Sequence, residues 1–134
     1  MEKLIIESTA NSPRIALDPE SKNFEFSGES RPENVRKFYL PILEWLEAFT
    51  AEQGKLSDAE RNFRLQCQFN FEYFNSTSAK YILDIFKSLN AINALGIGLE
   101  IKWLYEEDDE DMLEVGQEMS RMSKLTFEYI KSDA

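Results

Sequence analysis

The sequence predicts an α/β fold, a two-layer sandwich in which helices cover mainly one face of a mixed β-sheet. Strand-like segments such as "NFRLQCQFNFEYF" alternate apolar and polar residues, which indicates one buried and one solvated face. Segments with helical spacing separate the later strands, so each helix can connect two parallel strands. The 134 residues are enough to bury one core, and we expect residues 1–134 to form a single domain.

The first half of the chain predicts three strands and a helix. "EKLIIES", "PRIALDP" and "NFEFSGES" are the strand candidates, and the helix follows in "RPENVRKFYLPILEWLEAFTAEQG". Pro32 suits its first turn, Glu33 favours its positive N-terminal end and Gly54 suits its end, whereas Pro41 should kink or split it. The apolar stripe of this helix contains Val35, Phe38, Tyr39, Ile42, Leu46 and Phe49.

The second half predicts three strands that alternate with two helices. In "NFRLQCQFNFEYF" the inward residues should be Phe63, Leu65, Cys67, Phe69, Phe71 and Tyr73. A helix through "SAKYILDIFKSLNAI", a strand in "GLEIKWLYEED", a helix in "DEDMLEVGQEMSRMSK" and a strand in "LTFEYIK" complete the chain. The inward residues of the last helix should be Met112, Val115, Met119 and Met122.

The composition excludes several functions. A net charge of −10 would repel nucleic acid and anionic membranes, and a chain with no histidine has no imidazole for a catalytic triad or a metal site. The single cysteine, Cys67, lies at an apolar strand position and is interpreted as a buried, inert thiol. No segment is long and apolar enough to span a membrane, so we expect a cytoplasmic protein.

The run "YEEDDEDMLE" is the densest cluster of charge. It could be a divalent-metal or docking site, and Asp108, Asp109, Asp111 and Glu114 could then serve a metal-dependent hydrolase. The run lacks the spacing and glycine of a calcium loop, and acidic residues commonly precede a helix because its N-terminal end is positive. We therefore expect no metal, cofactor or catalytic residue, with the hydrolase as an alternative.

The stretch "YFNSTSAK" joins the clearest strand to the following helix. Asn, Ser and Thr are preferred at helix N-termini because their side chains accept hydrogen bonds from free amides, so the cluster could be a cap alone. A helix N-terminus also tolerates a phosphate, which adds about −1.5 to −2 charges and could alter a docking surface. The two interpretations are a constitutive interaction domain and a phosphorylation-controlled one.

A family resemblance favours the second interpretation. The segments "STANSPRIALDPE", "FSGESRPENVRKFYLPILEWL", "FEYFNSTSAKYILDI" and "WLYEEDDEDMLEVGQEM", in that order, resemble the SiaC-like bacterial regulatory phosphoprotein family over nearly the whole chain. That family is similar to the STAS fold of anti-sigma factor antagonists. The resemblance implies a non-enzymatic switch with three partners: a Ser/Thr protein kinase, a PP2C-type phosphatase, and a diguanylate cyclase that the unphosphorylated form activates, raising cyclic di-GMP and favouring biofilm.

The resemblance also implies which residues matter. The modified residue of the family directly follows the asparagine of an N-[ST]-[ST]-S motif, which corresponds to Ser76, with Thr77 as the adjacent alternative. The family's namesake has threonine where this chain has Ser76. The expected partner-binding residues are Asn75, Thr77, Ser78, Lys80, Arg31, Glu33 and Asn34.

Overall fold

A computed structural model describes residues 1–132 of the chain and contains the predicted elements in the predicted order. The strands are β1 (Leu4–Ile6), β2 (Arg14–Asp18), β3 (Asn23–Ser30), β4 (Arg64–Phe74), β5 (Gly98–Glu106) and β6 (Phe127–Ser132). The helices are α1 (Val35–Gln53), α2 (Ser76–Asn93) and α3 (Glu110–Ser123).

The strands lie side by side in chain order, β1-β2-β3-β4-β5-β6. The pairs β1–β2 and β2–β3 are antiparallel, and the pairs from β3 to β6 are parallel. Each helix connects neighbouring parallel strands, and because such crossovers are right-handed and all step in one direction, the helices cover the same face. The predicted two-layer α/β sandwich is confirmed, and its similarity to the STAS fold stays a prediction.

The core lies between the sheet and the helices. Along β4 the buried side chains are Leu65, Cys67, Phe69 and Phe71, whereas Arg64 and Gln68 on the other face are exposed. The rings of Phe26 and Phe69 stack across β3 and β4 with 4.5 Å between their centroids. Burial raises the pKa of the Cys67 thiol to about 12, so the thiol stays protonated at neutral pH, as expected of an inert cysteine.

A β-bulge interrupts the alternation at the end of β4. Gly28 pairs with Phe71, but the next residue of β3, Glu29, pairs with Tyr73, so Glu72 is an extra residue in β4. An extra residue exchanges the faces of the residues that follow it. Tyr73 is accordingly 50% exposed, and the prediction that it points into the core is wrong.

Helix α1 begins later than predicted and is not split. Its N-cap is Asn34, so Pro32 precedes the helix instead of occupying its first turn, and Glu33 lies one residue before the cap. Pro41 lies inside one continuous helix that Gly54 caps at the end. Pro41 is exposed, and the carbonyl that its missing N–H would have bonded belongs to exposed Lys37, so water can satisfy it.

Helix α3 packs tightly against β5. Met112 and Met119 are buried as predicted, but Met122 is 51% exposed, so its predicted place in the core is wrong. The close approach is made at Gly116, where a Cβ would lie 2.5 Å from the indole nitrogen of Trp103. That indole donates to the carbonyl of Met112 at 3.0 Å, which anchors the first turns of α3 to the sheet.

The three helices begin at the same edge of the sheet, because each follows the carboxyl end of a parallel strand. All three begin with a side chain that accepts a hydrogen bond from a backbone amide three residues later. The capping residues are Asn34, Asn75 and Asp109. The carboxyl edge of such a sheet is where α/β proteins commonly bind their ligands and partners.

Candidate functional site at the start of helix α2

Asn75 connects the end of β4 to the start of α2. Its extended backbone (φ −83°, ψ 172°) ends the strand, and its side-chain oxygen accepts from the amide of Ser78 at 2.8 Å and from the hydroxyl of Thr77 at 3.1 Å. The predicted helix cap is therefore present. Asn75 shapes the site by holding the first turn of the helix.

The three neighbouring hydroxyls have three different environments. Ser76 is exposed, and its hydroxyl makes no hydrogen bond within residues 1–132. Thr77 is also exposed, but its hydroxyl donates to Asn75. Ser78 is fully buried. Of the three, Ser76 alone offers an accessible and unengaged hydroxyl.

Two backbone amides beside that hydroxyl are free. The amide of Asn75 donates to the carbonyl of Ser30, and the amide of Ser78 to its cap, but the amides of Ser76 and Thr77 have no acceptor among the described residues. Free amides at a helix N-terminus bind anions. No acidic residue occupies the first turn of α2, so its positive end is not neutralised by a carboxylate.

Beneath this turn lies a chain of buried hydroxyls that we call the hydroxyl network, formed by Ser30, Tyr39 and Ser78. The Ser78 hydroxyl donates to the carbonyl of Ser30 at 3.0 Å, and the Ser30 hydroxyl donates to that of Ser78 at 2.9 Å. The Tyr39 hydroxyl lies 2.5 Å from that of Ser30. All three residues are 0% exposed. The network joins the end of β3, helix α1 and the start of α2.

Burial raises the pKa of Tyr39 to about 12, although hydrogen bonds with the two serines act in the opposite direction. Desolvation raises the pKa because it disfavours the charged phenolate, and this effect exceeds that of the two hydrogen bonds. Tyr39 therefore remains a hydrogen-bond donor at neutral pH.

The buried position of Ser78 corrects one prediction. Its side chain is enclosed by the protein, so the expectation that it lies on the partner-binding surface is wrong. Its side chain points back from the third position of α2 towards β3, as helical side chains do. Ser78 positions the first turn of α2 from within the core.

The turn between β3 and α1 carries three more of the predicted partner-binding residues. Arg31, Glu33 and Asn34 are all exposed, and they follow Ser30 directly. The Nε of Arg31 donates to the carboxylate of Glu29 at 2.9 Å, and Asn34 caps α1. Hydrogen bonds of Ser30 with Asn75 and Ser78 place this turn beside the start of α2.

Lys80 lies one helical turn after Ser76 and is exposed, with its ammonium 5.3 Å from the ring centroid of Tyr81. Residues four apart share one face of a helix, so Lys80 belongs to the surface around Ser76. The roles of Arg31, Glu33, Asn34 and Lys80 in partner binding stay predictions.

Sequence reasoning missed the part that Ser30 and Tyr39 play in the hydroxyl network. Tyr39 belongs to the predicted apolar stripe of α1, and its burial agrees with that prediction. A buried tyrosine hydroxyl needs a polar partner, and that requirement was the available signal. The partner, Ser30, is contributed by a neighbouring strand and has no local motif.

The acidic run has a structural explanation. Asp109 caps α3 by accepting from the amide of Met112 at 3.0 Å, and Glu110 and Asp111 occupy the first turn. Within residues 1–132, no three acidic or cysteine side chains come close enough together to hold a metal ion. The carboxylates of the run therefore do not form the site that a metal-dependent hydrolase would need. No helix within residues 1–132 is both long and apolar enough to cross a membrane.

Comparison with known proteins identifies the family of this chain. A sequence model of the SiaC family of regulatory phosphoproteins matches residues 6–132. The chain belongs to the SiaC family. A relative from Pseudomonas aeruginosa strain UCBPP-PA14, an uncharacterized protein, is 27% identical over 127 residues, which are 95% of this chain and 94% of the relative.

Solved SiaC structures share the fold. Apo-SiaC from Pseudomonas aeruginosa superposes with a TM-score of 0.80 at 24% identity and covers 97% of this chain and 99% of its own. SiaC in complex with the diguanylate cyclase SiaD, of which it is the activator, gives a TM-score of 0.82 at 23% identity and covers 96% of this chain and 99% of its own. At these identities the superpositions show a common fold.

Proposed function

We propose that this SiaC-family protein is a non-enzymatic switch whose Ser76 is reversibly phosphorylated, and that its unphosphorylated form binds and activates a diguanylate cyclase. The exposed, unengaged hydroxyl of Ser76 beside two free amides carries the proposal. The kinase is a Ser/Thr protein kinase and the phosphatase is of the PP2C type. We place the protein in the cytoplasm, where ATP is available to the kinase.

The local geometry favours Ser76 over its neighbours as the phosphate acceptor. An attacking hydroxyl must be reached by a kinase and must not be held by another group. Thr77 meets the first requirement, but its hydroxyl donates to Asn75, and phosphorylation would cost that hydrogen bond. Ser78 meets neither requirement, because it is buried and its hydroxyl both donates a hydrogen bond and accepts one.

The start of α2 can carry the phosphate without unfolding. Its free amides and positive helix end favour a dianion, and no first-turn carboxylate repels it. On the outside, the phosphate adds bulk, charge and a hydration shell to the surface that Lys80 and the β3–α1 turn share. A partner shaped to the neutral serine would lose affinity, because burying the phosphate costs desolvation energy.

Intact-mass analysis after co-expression with a candidate kinase from the same organism tests the modification. Wild type should gain one phosphate, Ser76→Ala should gain none, and the control Thr77→Val should behave as wild type. A phosphate that persists in Ser76→Ala and disappears in Thr77→Val would move the site to Thr77.

Cyclase assays test the output. Purified unphosphorylated protein should increase the rate of cyclic di-GMP synthesis by a diguanylate cyclase of the same organism, and the phosphorylated form should not. Ser76→Asp should weaken cyclase binding partially, since Asp carries less charge than a phosphate. Equal stimulation by both phosphorylation states would contradict the proposed switch.

A further inference from the structure

We propose that the hydroxyl network couples the two halves of the partner-binding surface, so that the state of Ser76 sets the conformation of the β3–α1 turn. The inference rests on the proposed function, in which Ser76 is the modified residue. It assigns Ser30, Tyr39 and Ser78 as positioning residues of the switch.

The protons of the network can be arranged in one direction that satisfies every group. Each hydroxyl has one proton to donate. The proton of Ser78 goes to the carbonyl of Ser30, that of Ser30 goes to the oxygen of Ser78, and that of Tyr39 then goes to the oxygen of Ser30. Loss of the Ser30 or Ser78 hydroxyl leaves a buried hydroxyl proton without its acceptor, and loss of the Tyr39 hydroxyl leaves the Ser30 oxygen with one hydrogen bond fewer.

The two ends of the network lie under the two surface segments. Tyr39 belongs to the second turn of α1, and its hydroxyl meets Ser30, the residue that directly precedes the turn carrying Arg31 and Asn34. Ser78 lies two residues after Ser76, and the carbonyl of Ser30 accepts from both the hydroxyl of Ser78 and the amide of Asn75. One residue, Ser30, therefore holds the start of α2 and precedes the turn before α1.

A phosphate on Ser76 acts on this connection. It draws the free amides of the first turn of α2 towards its oxygens, and Ser78 belongs to that same turn. Water cannot replace a lost hydrogen-bond partner, because all three hydroxyl residues are 0% exposed. A shift of Ser78 must therefore be followed by Ser30 and Tyr39, and with them by the β3–α1 turn.

Hydrogen–deuterium exchange on the full chain tests the coupling. Tyr39→Phe removes the hydroxyl and keeps the ring, and it should accelerate amide exchange roughly threefold to tenfold both at residues 31–38 and at residues 75–80, on the other side of the network. Ser78→Ala should do the same from the opposite end. The matched control is Tyr81→Phe, because Tyr81 stacks on Tyr39 at 5.7 Å and its hydroxyl makes no hydrogen bond within residues 1–132.

A second arm measures transmission from the switch. Ser76→Asp should change exchange at residues 31–38 in the wild-type background, and the change should disappear when Tyr39→Phe is added. The coupling would be overturned if amide exchange accelerated only at residues 31–38 in Tyr39→Phe, or only at residues 75–80 in Ser78→Ala. An effect of Ser76→Asp that survives intact in Tyr39→Phe would also overturn it.

These outcomes are distinct from a failure of the proposed function. The exchange of Tyr39→Phe and Ser78→Ala does not depend on any kinase or cyclase. A protein that shows the coupling but no phosphate on Ser76 would retain the network and lose the switch, whereas a phosphorylated Ser76 without exchange changes at residues 31–38 would retain the switch and lose the coupling.

Discussion

Helices α2 and α3 begin at the same edge of the sheet and use the same kind of cap, yet their first turns differ in charge. The first turn of α3 contains Glu110 and Asp111, which already neutralise its positive end. The first turn of α2 contains no acidic residue and has Ser76 at the surface and Ser78 in the core. From this difference we expect α2 to tolerate added negative charge, and only on the exposed side of its first turn.

The largest expected effect tests that confinement. Ser78→Asp would place a carboxylate where the hydroxyl network is buried, and we expect it to lower the free energy of unfolding by about 3 kcal/mol or more. Ser76→Asp, two residues away, should leave it nearly unchanged. Urea denaturation of both variants measures the difference, and similar losses for the two would show that the first turn of α2 has no protected and exposed sides.

An alkaline titration isolates the contribution of Tyr39, a member of the hydroxyl network, to the free energy of unfolding. The pKa of Tyr39 is about 12 in the fold against an ordinary value of 10, so its contribution to stability is complete below pH 10 and is lost as the pH rises towards 12. We expect the free energy of unfolding to fall by roughly 1 kcal/mol by pH 11 through this group. Tyr39→Phe should lack that component, whereas Tyr81→Phe should keep it, and denaturant unfolding from pH 8 to 11 distinguishes them.

The caps of the two helices should be of comparable strength. Asn75→Ala and Asp109→Ala each remove a side chain that accepts a backbone amide, and each should cost about 1 kcal/mol of unfolding free energy. Asn75→Asp keeps the acceptor and serves as the control. If Asn75→Ala had no effect on thermal unfolding, the cap would not be what holds the first turn of α2.

The smallest effect concerns charge alone. Ser76→Asp should raise the free energy of unfolding by about 0.5 kcal/mol at low ionic strength and Ser76→Lys should lower it by a similar amount, because the helix end is positive. Removing charge from α3 with Glu110→Gln and Asp111→Asn should lower stability by a similar amount. The differences should shrink in high salt, and a salt-independent effect would point to a cause other than the helix dipole.

The sequence was sufficient for the fold because its signals are local. The alternation along β4 and the stripes of the helices predict the elements, and their order predicts parallel crossovers. The errors arise where pairing between strands decides. Tyr73 is exposed because the register of β3 against β4 shifts at Gly28, and no pattern within β4 reveals a shift defined by its neighbour.

The candidate site divides in the same way. The cap at Asn75 could be predicted, since its residue type and its position between strand and helix define it. Burial of Ser78 could not, because it depends on Ser30, which is 48 residues away in the chain. A cluster of hydroxyls in a sequence indicates a helix start without telling which of its members face inward.

The order of the strands has a consequence for how the protein is made. Since each strand pairs only with strands adjacent to it in the chain, each segment that leaves the ribosome can add to a sheet already formed by earlier segments. Ser30 and Tyr39 are synthesised before Ser78, so the hydrogen bond between Ser30 and Ser78 can form only after α2 has been added. The hydroxyl network beneath Ser76 is therefore complete only once α2 docks, and none of its members comes from α3 or β6.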